Sequence, residues 1–201
     1  MATSGVFVVL EGGDGSGKST QARLLVSRLR DLGREVVATR EPGATEAGAA
    51  IRALVLGGGE LDPRAEALLI AADRAEHVAE VIRPALDRGA VVVSDRYIPS
   101  SLAYQGVARG LGVDEIARLS DWATDGLQPD IVVVLDVPPG DAERRRAAPQ
   151  DRMEREPAEF RARVNQAYRD LADRFGWVVV DGTASVEKVA DSLWALVLPL
   201  V

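Results

Sequence analysis

Five short runs along the chain are almost uninterrupted in apolar, β-branched residues: 6–10 (VFVVL), 35–39 (EVVAT), 90–94 (AVVVS), 131–135 (IVVVL) and 177–181 (WVVVD). Runs of this length without polar alternation predict strands covered on both faces, as in a parallel sheet. Between them apolar residues recur at helical spacing over 19–32, 64–88, 113–126, 158–175 and 186–196. Strands alternating with helices spell an α/β architecture, a five-stranded parallel sheet with helices on both faces in three layers. Ligands of such sheets gather at the carboxyl ends of the strands. Two stretches read as loops: 57–59, three glycines followed by a turn at Asp62-Pro63, and 147–157, polar with two prolines. No internal repeat, low-complexity tract or linker divides the chain, so 1–201 reads as a single domain.

Composition narrows the function classes. Twenty-four basic residues against 31 acidic ones give a formal net charge of −7, which disfavours non-specific attraction to nucleic acid or anionic lipid. An anionic ligand must therefore be captured by a local site. The absence of cysteine removes disulfide frameworks, thiol nucleophiles and cysteine-ligated metals. The apolar runs are too short to span a bilayer, and no basic residue precedes Lys18, so the expected location is cytoplasmic. Only two of the 24 basic residues are lysines, Lys18 and Lys188, so a lysine retained against that bias invites a chemical explanation.

Lys18 has one. Directly after the first strand comes Glu11-Gly12-Gly13-Asp14-Gly15-Ser16-Gly17-Lys18-Ser19-Thr20-Gln21, which satisfies G-x-x-x-x-G-K-[ST] from Gly12 to Ser19. Glycines let backbone N–H groups turn inward around a polyphosphate, the following helix offers its positive N-terminus, and the lysine supplies a mobile cation. Ser19 places a hydroxyl where Mg²⁺ would lie. The expected fold is thus the three-layer P-loop nucleotide-binding fold, with Gly12 through Thr20 on ATP. Asn-Lys-x-Asp, the guanine selector, is absent, as is the Leu-Ser-Gly-Gly-Gln segment of transporter ATPases. A small kinase is the natural reading, and kinases need a second anion site and a closing segment that excludes water.

Four further clusters suit that acceptor side: Thr39-Arg40-Glu41-Pro42-Gly43; Ala71-Ala72-Asp73-Arg74-Ala75-Glu76-His77; Ser94-Asp95-Arg96-Tyr97 followed by Ser100-Ser101-Leu102-Ala103-Tyr104-Gln105-Gly106; and Glu143-Arg144-Arg145-Arg146 leading to Asp151-Arg152-Met153-Glu154. In this order behind a P-loop, they resemble the bacterial thymidylate kinases over essentially the whole chain. Asp-Arg-Tyr followed by Ser-Ser-x-Ala-Tyr-Gln-Gly is the most specific part.

The resemblance implies transfer of the γ-phosphoryl of ATP to dTMP, with Mg²⁺, in a homodimer, with a short arginine-bearing lid over about 144–157. It assigns Lys18 and Ser19 to the ATP phosphates and metal, and Asp14 to the acceptor's 3′-hydroxyl. Arg74 would read the thymine carbonyl and Gln105 reach the base edge, with Pro42, Ile70 and Ser101 also lining the acceptor site. Arg40 and Arg96 clamp the acceptor phosphate, where a planar guanidinium holds two oxygens at once. Asp95 orients Arg96 or holds a metal-bound water, and Tyr104 packs against the sugar and disfavours a 2′-hydroxyl. With Gly15-Ser16 inside the loop, the transition-state cation falls to the lid arginines, among Arg144, Arg145, Arg146 and Arg152. One departure is Ile70, four residues before Arg74, where relatives commonly place an aromatic ring.

Plainer readings stand beside these. Asp95 and Arg96 could be an ion pair ending a strand, Arg74 could face solvent, and 144–146 could be a solvated helix end. His77, the sole histidine, reads as a surface residue or a minor contact, and Trp122, Trp177 and Trp194 as core or interface anchors. Asp136 is open. A deoxynucleoside kinase and an acceptor-free P-loop ATPase are the competing functions.

Overall fold

The computed structural model describes residues 5–145 and 151–201. Its elements are β1 (Val6–Glu11), α1 (Lys18–Asp31), β2 (Val36–Arg40), α2 (Glu46–Gly57), α3 (Pro63–His77), α4 (Arg83–Asp87), β3 (Val91–Asp95), α5 (Ile98–Ser101), α6 (Val113–Thr124), β4 (Ile131–Asp136), α7 (Pro139–Arg145), α8 (Ala158–Phe175), β5 (Val178–Asp181) and α9 (Val186–Val197). The strands form one parallel sheet in the order β2-β3-β1-β4-β5. The expected five-stranded α/β architecture is the one observed.

Alternation along each strand assigns the two faces. Phe7, Val9, Val92, Val132 and Val134 enter a core shared with α3, α6 and α8. Val6, Val8, Leu10, Val91, Val93, Val133 and Leu135 enter the other, closed by Leu25, Val26 and Leu29 of α1 and Val189, Leu193 and Val197 of α9. Trp177 packs against the first core and Trp194 against the second, whereas Trp122 is 82% exposed and belongs to neither.

Register positions the chemistry. Leu10 and Arg40 both pair with Asp95, so the carboxyl ends of β1, β2 and β3 stand level in one row. The chain leaves that row through Glu11, Glu41 and Arg96.

Three local outcomes differ from the sequence reading. The expected helix over 64–88 runs from Pro63 to Asp87 but widens to π-type turns over Val78–Ile82, ahead of Pro84, which has no N–H to donate. The turn at Asp62-Pro63 is an N-cap: Asp62 accepts from the Arg64 N–H at 2.9 Å, and Pro63 takes the first helical position. Two helical stretches carried no readable period. In α2 only Gly48 and Val55 are buried, while Leu102–Ala108, a second π-type stretch continuing α5, is buried on nearly every side.

Candidate active site

The P-loop is held open by glycine geometry. Gly17, which caps α1, has φ of 94°, and at Gly12 (φ 134°) a Cβ would stand 2.5 Å from the Leu135 carbonyl oxygen. An L side chain at either position is strained. Lys18 Nζ donates to the carbonyls of Gly12 (2.8 Å) and Gly13 (2.9 Å). Burial, and after it the neighbouring Arg96, lowers its pKa to about 8. Ser19 Oγ donates to Asp95 Oδ2 at 2.7 Å, joining the start of α1 to the end of β3.

Arg96 occupies the centre. Its backbone sits at φ 78°, in the left-handed region that a residue with a Cβ seldom adopts. Its guanidinium bonds to the Asp14 carboxylate and donates to Ser100 Oγ (3.1 Å) and Tyr168 Oη (3.3 Å), with Tyr104 beneath at 5.3 Å. Tyr104 Oη donates to the other Asp14 oxygen at 3.2 Å. Behind this group lies Glu11, fully buried, whose pKa is raised by burial. Glu11 accepts from the backbone N–H groups of Tyr97 (2.8 Å) and Ser100 (3.1 Å), from Ser100 Oγ (2.7 Å) and from Tyr168 Oη (2.9 Å).

Arg74 is buried rather than facing solvent. Its Nε donates to Glu41 Oε2 (2.8 Å) and its Nη2 to Ser101 Oγ (3.0 Å) and the Tyr97 carbonyl (3.1 Å). His77 is likewise fully buried, which corrects the expectation of a surface residue: its Nδ1 donates to Glu41 Oε1 (2.9 Å), and its Nε2 lies 2.6 Å from Thr39 Oγ1. Glu41 thereby fixes two side chains of α3 to the end of β2.

These groups surround a cavity of about 840 Å³. Asp14 through Thr20, Arg40, Pro42, Ile70, Arg74, Asp95, Arg96, Ser101, Tyr104 and Gln105 all line it, while Gly12 and Gly13 form the turn behind. The arginines beyond β4 divide. Arg145 reaches the cavity and donates to the Gly182 carbonyl at 2.8 Å, whereas Arg144 is 76% exposed on Asp141. Arg152 is tied to Glu66 and to the Val55 carbonyl (2.9 Å), and Arg146 lies outside the described residues. Asp136 meets Arg169 at the surface.

Residues not singled out in the sequence also line the cavity. Arg52 of α2 donates to the Pro42 carbonyl at 2.8 Å, and burial, followed by Arg40, lowers its pKa. Ala184, Val186 and Val189 form an apolar wall at the same cavity. For Arg52 the only signal was one cation in an Ala-rich stretch. For Glu11 it was a carboxylate ending an otherwise apolar strand.

The family model described as thymidylate kinase matches residues 10–193. The thymidylate kinase of Leifsonia xyli subsp. xyli (strain CTCB07) is 54% identical over 193 residues, 92% of this chain and 91% of that protein. That of Clavibacter michiganensis subsp. michiganensis (strain NCPPB 382) is 53% identical over 198 residues, 94% and 93% of the two chains. A more distant relative, from Synechococcus sp. (strain JA-2-3B'a(2-13)), is 48% identical over 196 residues, 96% of this chain and 95% of its own.

Proposed function

The chain belongs to the thymidylate kinase family, and from that premise we propose how its cavity moves the γ-phosphoryl of ATP onto dTMP. The reaction yields ADP and dTDP, a step toward dTTP. One observation carries the assignment of ends: a single cavity joins a phosphate-binding loop to a cluster of guanidinium groups from Arg40, Arg52 and Arg96. Two anions brought that close need cations between them, and little else, because phosphoryl transfer is governed by positioning and charge.

Gly12 to Thr20 cradle the donor phosphates, with Lys18 following the charge that develops on the transferred group. The apolar wall of Ala184, Val186 and Val189 faces the purine. Arg40, Arg52 and Arg96 grip the acceptor phosphate. Asp14, already bonded to both Arg96 and Tyr104, receives the 3′-hydroxyl. Arg74 meets the thymine carbonyl, and Ile70 covers the ring by aliphatic contact. Tyr104 occupies the space a 2′-hydroxyl would need. Arg145, which lines the cavity at the start of the lid segment of about 144–157, brings positive charge over the phosphoryl group.

Ser19 Oγ and Asp95 Oδ2 are two hard oxygen donors in contact, which suits a small cation taking its other ligands from phosphates and water. Mg²⁺ held there neutralises phosphate charge. The same reading places the enzyme in the cytoplasm as a homodimer. Among the described residues no helix is long and apolar enough to cross a membrane.

The test is ADP release from Mg-ATP with no acceptor, then with dTMP, dUMP, thymidine, UMP, CMP and AMP in turn. Turnover that depends on dTMP is expected. Release without acceptor, or with thymidine in preference to dTMP, would overturn the map of the acceptor end.

A further inference from the structure

Glu66 belongs to α3 but its carboxylate is spent away from the phosphate sites. It is fully buried. Its Oε1 accepts from Gln105 Nε2 at 2.7 Å and Arg109 Nε at 3.3 Å. Its Oε2 accepts from Arg109 Nη2 at 3.1 Å and Arg152 Nη2 at 2.5 Å. Burial alone would raise its pKa, but the bonds from Arg109, Arg152 and Gln105 outweigh that and lower it. The group is therefore ionised and can only accept hydrogen bonds.

That has a consequence for Gln105, which lines the cavity. An amide carries one donor end and one acceptor end, and which end faces a ligand is decided by its partners. An acceptor-only carboxylate captures the Nε2 end. Among the described residues no group donates to the Gln105 Oε1, so oxygen is what Gln105 has left to offer. A pyrimidine with an N3–H, such as thymine or uracil, meets that oxygen with a donor, whereas cytosine brings a lone pair at N3.

We propose that Glu66 is a positioning residue that sets pyrimidine specificity: by holding the Gln105 amide with its oxygen free, it makes the acceptor site select an N3–H and reject cytosine. The inference rests on the assignment of the acceptor end given above. Arg109 and Arg152 keep Glu66 charged and in place, so the same carboxylate joins the base-selecting amide to segment 151–156.

The experiment compares kcat/KM for dTMP, dUMP and dCMP in the wild type, Glu66→Gln, Glu66→Asp and Gln105→Met. In Glu66→Gln the neutral amide can accept from or donate to Gln105, so both orientations become available. Glu66→Asp keeps the charge for the arginines but withdraws the acceptor by one methylene. In each variant that folds by circular dichroism the dTMP/dCMP ratio should fall about tenfold or more, because the opposed lone pairs are no longer enforced. The dTMP/dUMP ratio should stay within about twofold, since both bases carry the N3–H. Gln105→Met leaves Glu66 and its arginines in place and should lose the same selectivity. A dTMP/dCMP ratio that Gln105→Met leaves at the wild-type value overturns the proposal. So does a folded Glu66 variant in which that ratio holds, or falls only in step with dTMP/dUMP. A wild type that phosphorylates none of the three nucleotides instead refutes the acceptor-site assignment itself.

Discussion

The two ends of the cavity are built from different materials. At the donor end the phosphate cradle is made of backbone turns, one lysine and one serine, delivered by the consecutive residues Gly12 to Ser19. At the acceptor end they are side chains from separate elements, several already held by an oxygen: Arg52 on the Pro42 carbonyl, Arg74 on Glu41, Arg96 on Asp14. A backbone cradle depends on local φ and ψ, so it is complete once the turn has formed. A guanidinium cluster exists only after sheet register and helix packing have brought distant residues together.

The largest test of this contrast removes the one cation of the phosphate-binding loop. Lys18→Ala should lower kcat by about 10³-fold or more with the circular dichroism spectrum unchanged; near-normal turnover would break the division. Next comes Arg96→Ala, expected to raise the KM for dTMP by about 10²-fold while shifting ATP affinity less than about threefold. Equal losses for both ligands would mean that the ends are not separable.

A smaller effect comes from pH. Lys18, with its pKa lowered to about 8 in the free protein, is charged at pH 7 and mostly neutral at pH 9. ATP binding must then restore the proton, so affinity at pH 9 should be about tenfold weaker than at pH 7. Calorimetry in two buffers of different ionisation enthalpy would detect the proton uptake, and a flat profile without uptake would remove this charge from the donor end. Least of all, Arg144→Ala should change stability by less than about 0.5 kcal/mol, because the side chain is exposed on an i,i+3 pair. If that variant slowed turnover more than about tenfold, the phosphoryl group would need a second arginine from outside the loop besides Arg145, and the contrast would have to be redrawn.

The same contrast explains what could be read in advance. The strands were legible because each is a continuous apolar run buried on both faces, and the P-loop because its residues are adjacent. Helix α2 was not, since an Ala-rich helix with two buried positions shows no stripe, and Arg52 was missed with it. The stretch from Ile98 to Ala108 failed for the opposite reason: burial on nearly all sides leaves no polar face to mark a period. His77 looked like a surface residue because nothing in the sequence shows that Glu41 is waiting beside it at the end of another strand. Arg40, Arg74, Arg96 and Gln105 were found through resemblance to a family, while Glu11, which holds the Ser100 and Tyr168 hydroxyls that Arg96 bonds, and Glu66, which holds Gln105, carry no motif of their own.

Arg96 is held in a left-handed backbone conformation, which costs a residue with a Cβ about 1–2 kcal/mol and a glycine almost nothing. Replacing it by alanine keeps that penalty and discards the guanidinium, whereas glycine discards both. Either change also takes the guanidinium from Asp14, Ser100 and Tyr168, so the strained backbone is held by the bonds its own side chain makes. The residue that grips the acceptor phosphate is thus also the clasp that joins the phosphate-binding loop, through Asp14, to the turn after β3.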